Sequence, residues 1–424
     1  MAGAGTFFRR GLLALAAAAG LAGTAAAQPA PVQTHEEALA QDAAEYAVRY
    51  DVPADEAARR LRAQAAAGPA VARLAERYRS RLAGIFVEHR PDYRITFLLT
   101  GDRPVRARAI AAGGEKVPVA FRTGAAATRA QVVAAIRERG QAIRAAVRGT
   151  RGMGADPRTG ALVVMLSDED ADRIDLADAR ARIEAIAGVP ARLRILERPE
   201  ANFGLEGGAR VEGIDAVSGK RAYCTTGFVV TDGVRTGIVT AAHCPDVLTY
   251  LDPAGSRVEL PFIGQWGWSF QDVQLNAGEG AQAPLFYADA AKKVARAPGG
   301  EAARDATRAG DFLCHRGERS GYSCAEVELT DYAPPGDLCG GPCAPVWVTV
   351  SGPSCGGGDS GGPVFSGDVA YGIVKGGTYD RQGKCAFYYY MSLDYLPEGW
   401  TLLRKDDPPP AAENGDGNYF PLHR

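Results

Sequence analysis

The chain has 424 residues, of which 46% are apolar and 23% are charged. This length suits two ordinary domains, and this composition is typical of a globular protein with a hydrophobic core. The formal net charge is −2 and no long basic stretch occurs, so electrostatics give no reason to expect a nucleic-acid partner, and we predict none.

Residues 1–27 have the pattern of a secretory signal peptide. Arg9 and Arg10 precede the apolar run Leu12 to Ala22, and Ala25-Ala26-Ala27 is a small-residue cleavage site. The apolar run is too short to span a bilayer, and no later stretch reaches the length of about 18 apolar residues that a span needs. We predict secretion by the general route, with no membrane anchor, to the medium or the periplasm. The arginine pair also fits twin-arginine export.

Residues 28–205 are rich in Ala and Arg and contain no cysteine. Thr34 with Glu37 predicts a capping box that opens a helix through Ala47. Other amphipathic stretches predict helices over 54–66, 70–82 and 127–147, and short runs between them predict strands over 94–100, 117–122, 161–166 and 192–196. We interpret this half as an α+β domain.

From about Glu206 the composition changes, and all four tryptophans and all eight cysteines lie beyond this point. Short apolar runs, such as 227–231, 236–240, 346–350 and 369–374, are separated by Gly, Pro and Asp. This pattern predicts an all-β domain over 206–404, an antiparallel barrel or sandwich with little helix. Residues 405–424 contain few large apolar side chains, so we predict a disordered tail.

The cysteines predict a disulfide framework, because an even number confined to one half of an exported chain is typical of structural disulfides. The alternative is a metal site, since Cys339 and Cys343 are closely spaced. No nearby histidine or second close pair completes a tetrahedral set, so we expect no metal. The eight predicted disulfide positions are Cys224, Cys244, Cys314, Cys324, Cys339, Cys343, Cys355 and Cys385.

The segment Gly357 to Pro363, Gly-Gly-Asp-Ser-Gly-Gly-Pro, is the strongest chemical signal. A nucleophilic serine needs an exposed hydroxyl and backbone N–H groups that can bind the oxyanion formed during attack. The glycines let the backbone bend so that the amides of Gly358 and Ser360 converge. The alternative is an incidental Gly-rich turn, but a six-residue match of this composition favours Ser360 as the nucleophile.

His243 is the predicted general base. It stands in Thr-Ala-Ala-His-Cys directly after the apolar run 236–239, and a histidine at a strand end beside a tied cysteine is held firmly enough for this role. Two of the other histidines lie in the first half, one between two cysteines and one in the tail: His35, His89, His315 and His423.

The third residue should be a carboxylate that orients the imidazole and offsets its charge. Asp272 directly precedes an alternating, strand-like run, whereas Asp246 is too close to His243 in sequence to reach behind the ring. Asp252 and Asp289 are possible alternatives, and Asp272 is our prediction.

The order of these residues along the chain excludes one class of enzyme. Gly358 to Gly362 also fits the G-x-S-x-G pattern of α/β-hydrolases, in which the histidine follows the serine. Only His423 follows Ser360 here, and it lies in the predicted tail. The order His243, Asp272, Ser360 is that of chymotrypsin.

With these motifs the sequence resembles secreted bacterial chymotrypsin-fold serine proteases of the α-lytic protease and streptogrisin type. The resemblance covers Gly213 to about Leu396 and includes Cys224-Thr-Thr-Gly-Phe, Asp272-Val-Gln, the segment Cys314 to Cys324, and Gly376-Gly377. Asp156-Pro-Arg-Thr-Gly-Ala-Leu-Val-Val is similar to a turn and strand in the propeptides of that family.

The resemblance implies an all-β protease domain of two six-stranded antiparallel β-barrels, with the catalytic residues in the cleft between them, preceded by an α+β pro-domain. It implies that residues 28–205 are a pro-region that acts as folding catalyst and inhibitor of the mature enzyme. It also implies three disulfides, Cys224–Cys244, Cys314–Cys324 and Cys355–Cys385, which leaves Cys339 and Cys343 to pair. We expect a monomer that acts on protein or peptide substrates without a cofactor.

The resemblance places Val374, Lys375, Gly376 and Gly377 at the substrate. Nothing acidic lies over 351–354, Val374 stands where glutamate-specific relatives carry a histidine, and the two glycines leave the pocket entrance open. We therefore predict a preference for an apolar side chain of small to medium size at the cleavage site.

Two positions depart from the family pattern. His315 replaces an arginine that pairs with the buried aspartate beside the nucleophile, here Asp359. Lys375 replaces a serine that hydrogen-bonds the catalytic aspartate, and it could form an ion pair with Asp272, line the substrate cleft or extend to solvent. The sequence thus predicts a secreted serine endopeptidase made as a pro-enzyme. The alternative is a protease-like binding protein with impaired catalysis, of which Lys375 would be the sign.

Overall fold

The computed structural model describes residues 32–147, 149–196, 201–202, 210–216, 218–251, 257–277 and 282–408. The predicted signal peptide and most of the predicted tail lie outside these residues. We call residues 32–196 the N-terminal half and residues 210–408 the C-terminal half. No helix in the described residues is both long and apolar enough to cross a membrane.

Six helices lie in the N-terminal half: α1 His35–Tyr50, α2 Ala54–Ala66, α3 Gly68–Arg77, α4 Arg129–Ala146, α5 Asp168–Ala171 and α6 Leu176–Ala187. Capping boxes begin the two longest helices. Thr34 accepts from the Glu37 N–H group and Glu37 bonds back, as predicted, and Thr128 with Gln131 repeats the arrangement at α4.

The strands of the N-terminal half are β1 Val32–Gln33, β2 Leu82–Glu88, β3 Arg94–Thr100, β4 Arg108–Ala112, β5 Glu115–Ala125, β6 Thr150–Asp156, β7 Ala161–Ser167 and β8 Ala191–Leu196. One sheet has the order β2-β3-β5-β4. Its apolar face, with Ile95 and Phe97, packs on Ala63 and Val71 of α2 and α3. The second sheet, β6-β7-β8, packs on α4 and α6 through Ile136.

The C-terminal half contains strands and three short 3-10 helices but no α-helix within its described residues. Its strands, and the linking strand β9 that precedes them, are β9 Ala201–Asn202, β10 Arg210–Ile214, β11 Arg221–Thr225, β12 Val229–Thr231, β13 Thr236–Thr240, β14 Leu248–Leu251, β15 Arg257–Leu260, β16 Phe262–Trp266, β17 Val273–Ala277, β18 Phe286–Tyr287, β19 Ala295–Arg296, β20 Gly300–Glu301, β21 Phe312–Gly317, β22 Gly321–Ala333, β23 Trp347–Ser351, β24 Pro363–Ser366, β25 Val369–Tyr379, β26 Cys385–Ser392 and β27 Thr401–Leu402. The 3-10 helices are Arg304–Ala306, Gly336–Cys339 and Leu393–Tyr395. The prediction of an all-β second half is confirmed.

One six-stranded barrel is present. Strands β21-β24-β25-β26-β23-β22 pair in this order, and β22 pairs back with β21 and closes the ring. The preceding strands form two separate sheets, β11-β10-β14-β15 and β16-β17-β13-β12-β27. The second six-stranded barrel therefore stays a prediction, since hydrogen bonds do not join these two sheets into one ring in the described residues.

The barrel sheet continues into the N-terminal half. Strand β22 has 13 residues, and at its C-terminal end Tyr332 and Ala333 pair with Gly154 and Met153 of β6. One hydrophobic core also contains side chains of both halves, among them Tyr46 with Phe312. The two halves therefore share a sheet and a core.

Buried polar groups also join the halves. Arg129 of α4 forms a bidentate pair with Asp331 of β22, at 2.5 and 2.7 Å. His89 lies between the Tyr46 hydroxyl, 2.7 Å from Nδ1, and the Gly310 carbonyl oxygen, 2.5 Å from Nε2. Because a carbonyl only accepts, Nε2 carries the proton and Nδ1 accepts from the tyrosine hydroxyl.

We predict that acid weakens the contact between the two halves, because it protonates His89. Burial lowers the pKa of His89 to about 4, whereas an unfolded chain has a histidine pKa of about 6.5. As the pH falls the unfolded chain binds the proton first, so the stability due to neutral His89 is complete above about pH 6.5 and is lost between about pH 6.5 and 4. The loss should reach about 3 kcal/mol.

Urea unfolding of the full chain at a series of pH values measures this loss. His89→Gln should flatten the dependence between pH 6.5 and 4, whereas His35→Gln, at a half-exposed site, should keep it. An equal slope in wild type and His89→Gln would contradict the assignment.

Candidate active site

The three predicted catalytic residues meet at strand ends. His243 follows β13 and Asp272 precedes β17, and these strands pair with Thr240 opposite Gln274. His243 Nδ1 is 2.8 Å from Asp272 Oδ2, and the His243 backbone N–H donates to Asp272 Oδ1 at 3.1 Å. His243 Nε2 is 2.8 Å from the Ser360 hydroxyl oxygen. The geometry is that of a serine hydroxyl donating to an imidazole that donates to a carboxylate.

This chain of hydrogen bonds lies mostly inside the protein. Asp272 and Ser360 are buried, and the His243 side chain is 17% exposed. The disulfide Cys224–Cys244 ties the residue next to His243 to strand β11. A nucleophilic serine was expected to have an exposed hydroxyl, but in the full chain Ser360 is buried.

Lys375 points inward at the catalytic carboxylate. Its Nζ is 3.1 Å from Asp272 Oδ2 and 5.2 Å from the centre of the Trp347 ring. Its side chain is only 3% exposed, so of the three predicted alternatives the structure has the ion pair. Asp272 Oδ2 thus accepts from two donors, the Lys375 ammonium and His243 Nδ1.

The charges around Asp272 decide its ionisation. Burial alone would raise the pKa of this carboxyl, but the charges of His243 and Lys375 and their hydrogen bonds hold it far below its usual range. The Asp272 backbone N–H also donates to Met391 Sδ at 3.2 Å. The group is therefore a carboxylate throughout the physiological pH range.

Backbone amides, and not an arginine, hold the buried Asp359 beside the nucleophile. The N–H groups of Gly356, Arg319 and Ser320 donate to its carboxylate at 2.6, 2.9 and 3.0 Å. His315 Nε2 is 4.0 Å away, and burial lowers the His315 pKa, which favours the neutral ring. The neighbouring Arg316 pairs with Glu318 at 2.7 Å and not with Asp359.

Glycine geometry shapes the loop around Ser360. Gly358 and Gly361 have φ of 105° and 83°, values that other residues rarely adopt. A Cβ at Gly361 would lie 2.2 Å from the Thr240 hydroxyl, so this position also needs glycine for space. The Thr225 hydroxyl donates to the Gly358 carbonyl oxygen at 2.6 Å and fixes that peptide.

The residues predicted to contact the substrate all lie on β25. The Gly361 N–H donates to the Val374 carbonyl at 2.7 Å, and the Val374 N–H donates to the Gly362 carbonyl at 2.9 Å. The Lys375 carbonyl oxygen is 3.4 Å from the Ser360 hydroxyl. Gly376 and Gly377 pair antiparallel with the linking strand, Asn202 and Ala201 respectively.

The eight cysteines form the three pairs that the resemblance implies, Cys224–Cys244, Cys314–Cys324 and Cys355–Cys385, and the remaining pair Cys339–Cys343. Two of these flank the site. Cys244 adjoins His243, and Cys355 begins the loop that ends at Ser360.

Sequence reasoning missed three contributors to the site. Thr225 lies inside a recognised motif, but nothing in one sequence relates its hydroxyl to the peptide of Gly358. Met391 and Trp347 lie in apolar strands and look like ordinary core residues. Their contacts with Asp272 and Lys375 join residues far apart in sequence, in segments that do not pair with each other.

Serine, histidine and buried aspartate, joined in this order by hydrogen bonds, define the arrangement used by serine hydrolases. No protein-family model matches the chain. Streptogrisin-C from Streptomyces griseus is 27% identical over 187 residues, which are 42% of this chain and 37% of that protein. The chain thus spans little more than a third of this curated relative's length. The match confirms the resemblance to bacterial chymotrypsin-fold serine proteases.

Several solved structures of bacterial proteases are similar to just under half of this chain. The Nocardiopsis protease NAPase is 19% identical over 44% of this chain and 92% of its own, with a TM-score of 0.35. The Cellulomonas bogoriensis chymotrypsin is 19% identical over 46% of this chain and 97% of its own, with a TM-score of 0.36. Thermobifida fusca protease A is 23% identical over 46% of this chain and 97% of its own, with a TM-score of 0.33.

We predict that Lys375 restrains peptide hydrolysis. Its ammonium competes with the His243 ring for Asp272 Oδ2 and opposes the imidazolium that forms during acylation. Lys375→Ser should therefore raise kcat severalfold and move the acidic limb of the pH–rate profile upward by about half to one pH unit, or ~1 kcal/mol.

Lys375→Met is the matched control for charge. It removes the ammonium without offering a hydroxyl to Asp272, so the acidic limb should move while kcat gains less. Unchanged pH profiles in both variants, with an altered cleavage pattern, would instead mean that Lys375 acts on the substrate.

Proposed function

We propose that the chain is the precursor of a secreted serine endopeptidase, which hydrolyses peptide bonds through an acyl-enzyme. One observation carries the proposal: a continuous hydrogen-bonded path of two 2.8 Å contacts joins Ser360 to His243 and His243 to Asp272. The similarity to Streptogrisin-C over 187 residues of the chain supports it independently.

In the proposed reaction the Ser360 oxygen attacks the peptide carbonyl carbon while its proton passes to His243 Nε2. The backbone N–H groups of Gly358 and Ser360 bind the negative oxygen of the tetrahedral intermediate. The imidazolium then gives its proton to the leaving amine, and the C–N bond breaks to leave an ester on Ser360. Water, deprotonated by His243, hydrolyses this ester and regenerates the hydroxyl. No cofactor is needed.

A second candidate is a protease-like binding protein with impaired catalysis. The Lys375–Asp272 ion pair favours it, because it places a cation where the reaction needs uncompensated negative charge. The intact hydrogen bonds of His243 favour the enzyme.

Labelling with a fluorophosphonate probe separates the two candidates. The processed protein should react with the probe and cleave peptides, and Ser360→Ala should abolish both. Ser366→Ala, six residues further on, is the matched control and should retain both activities. A wild-type protein that neither labels nor cleaves any peptide would favour the binding protein.

We propose that residues 28–205 are the pro-region, which covers the cleft until it is cut. Strand β9 supports this, because its backbone pairs with Gly376 and Gly377, next to the Lys375 carbonyl that lies 3.4 Å from the Ser360 hydroxyl. A peptide substrate would use the same strand edge. The full burial of Ser360 in the uncut chain agrees with this reading.

The residues of β25 bear on which substrate side chain the enzyme prefers. Val374 is buried and apolar, and glycines follow Lys375, which supports an apolar side chain at the cleavage site. Four disulfides and the signal-like segment 1–27 support an extracellular enzyme, and we propose that it acts as a monomer.

We predict that the C-terminal half refolds poorly without the N-terminal half, because the two share a sheet and a core. A chain beginning at Glu206 should yield little activity on refolding, and residues 28–205 added in trans should restore it by tenfold or more. Equal yields with and without the added half would contradict the idea.

N-terminal sequencing of the processed protein should give a start within 203–206, directly after β9.

A further inference from the structure

A second polar centre, separate from the catalytic residues, lies where α1 meets the C-terminal half. Arg296 of β19 is fully buried there. Its Nε donates to Gln33 at 2.7 Å, Nη1 to the Gly367 carbonyl oxygen at 2.9 Å and Nη2 to Asp42 Oδ1 at 3.0 Å. The guanidinium also lies 5.1 Å from the centre of the Phe365 ring. Such a buried cation needs an anionic partner.

Asp42, from the middle of α1, is that partner, and it is 1% exposed. Besides Arg296 it accepts from the Tyr322 hydroxyl at 2.7 Å and from the Gly367 backbone N–H at 2.5 Å. Both carboxylate oxygens are thus bound, Oδ1 by two donors and Oδ2 by one.

All three donors belong to the C-terminal half and come from separate segments. Arg296 lies on β19, Tyr322 on β22, and Gly367 in the turn between β24 and β25. Within that half the Tyr322 ring stacks on Phe365, and Arg296 Nη1 donates to the Gly367 carbonyl oxygen. The N-terminal half contributes the Asp42 carboxylate and Gln33 to this centre.

Further contacts hold α1 at this place. His35 Nδ1 is 2.7 Å from Asp368 Oδ1, and the Gln41 amide donates to the Ala288 carbonyl oxygen at 2.7 Å. Strand β1 runs parallel to β19, with Gln33 opposite Arg296. The buried carboxylate lies at the centre of this contact, where it is shielded from water, and buried charge-assisted bonds are the strongest of their kind.

We propose that Arg296, Tyr322 and the Gly367 N–H group form a carboxylate-binding site on the C-terminal half. In the precursor Asp42 fills this site and anchors α1. Once processing has removed the N-terminal half, a step that rests on the proposed function, the same donors bind an acidic side chain of a peptide or protein. The site would then recognise ligands apart from the catalytic cleft.

Chemical rescue in the uncut protein tests the site directly. The test uses the full chain with Ser360→Ala, so no catalysis is needed, and Asp42→Ala, which leaves a space where the carboxylate lay. Sodium formate at neutral pH is the probe, with sodium chloride at equal ionic strength as the control salt. Formate should raise the folding equilibrium constant by a saturable factor of about 1 + [formate]/Kd, and chloride should not.

Two further variants assign the effect to the donors. Adding Arg296→Met to Asp42→Ala should abolish the formate response, and adding Tyr322→Phe should raise the Kd for formate severalfold. The chain that retains Asp42 should not respond. If Asp42→Ala does not fold in buffer, its refolding yield in formate against chloride is the readout, with the same expectations.

The proposal is overturned if formate and chloride act alike, or if the response persists with Arg296→Met. Because every chain in this experiment carries Ser360→Ala, its outcome is independent of fluorophosphonate labelling. A wild-type protein that does not react with the fluorophosphonate probe would contradict the protease proposal but not the proposed carboxylate-binding site.

Discussion

The geometry of the candidate active site depends on one of several buried carboxylates, that of Asp272. A carboxylate removed from water must be neutralised by nearby cations or donors. Asp272 meets this need with His243 from the end of β13 and Lys375 from β25. Three strands that are distant in sequence are therefore fixed around one oxygen atom. The orientation of the imidazole, and through it the position of the serine hydroxyl, follows from this constraint.

The parts of the site that sequence analysis predicted are those with short-range causes. Ser360 is bracketed by glycines whose backbone angles demand glycine, and His243 follows its strand directly. The predicted capping box at α1 likewise involves residues three positions apart. The direction of Lys375 could not be predicted, because a long side chain on a strand reaches either a buried partner or solvent, and the partner lies 103 residues away in sequence.

The fold was predicted less completely for the same reason. An alternating apolar pattern indicates that strands exist, but it does not say which edges pair. The 13 residues of β22 close one barrel at one end and join β6 at the other. An edge of this kind, with its N–H and C=O groups unpaired, would be a template for unwanted association. Covering it with β6 solves that problem within the same chain.

The Arg296–Asp42 ion pair could not be predicted either, because 254 residues separate its two members.

Under the pro-region proposal, the covalent tether of β9 bears on the timing of activity. Because β9 belongs to the same chain as Gly376 and Gly377, its local concentration at the strand edge that they form is about millimolar, whatever the protein concentration. A free peptide of equal affinity at micromolar concentration would then rarely occupy that edge. Cutting the chain after β9 would remove this advantage, and β9 would stay in place only as long as the shared sheet and core hold the two halves together.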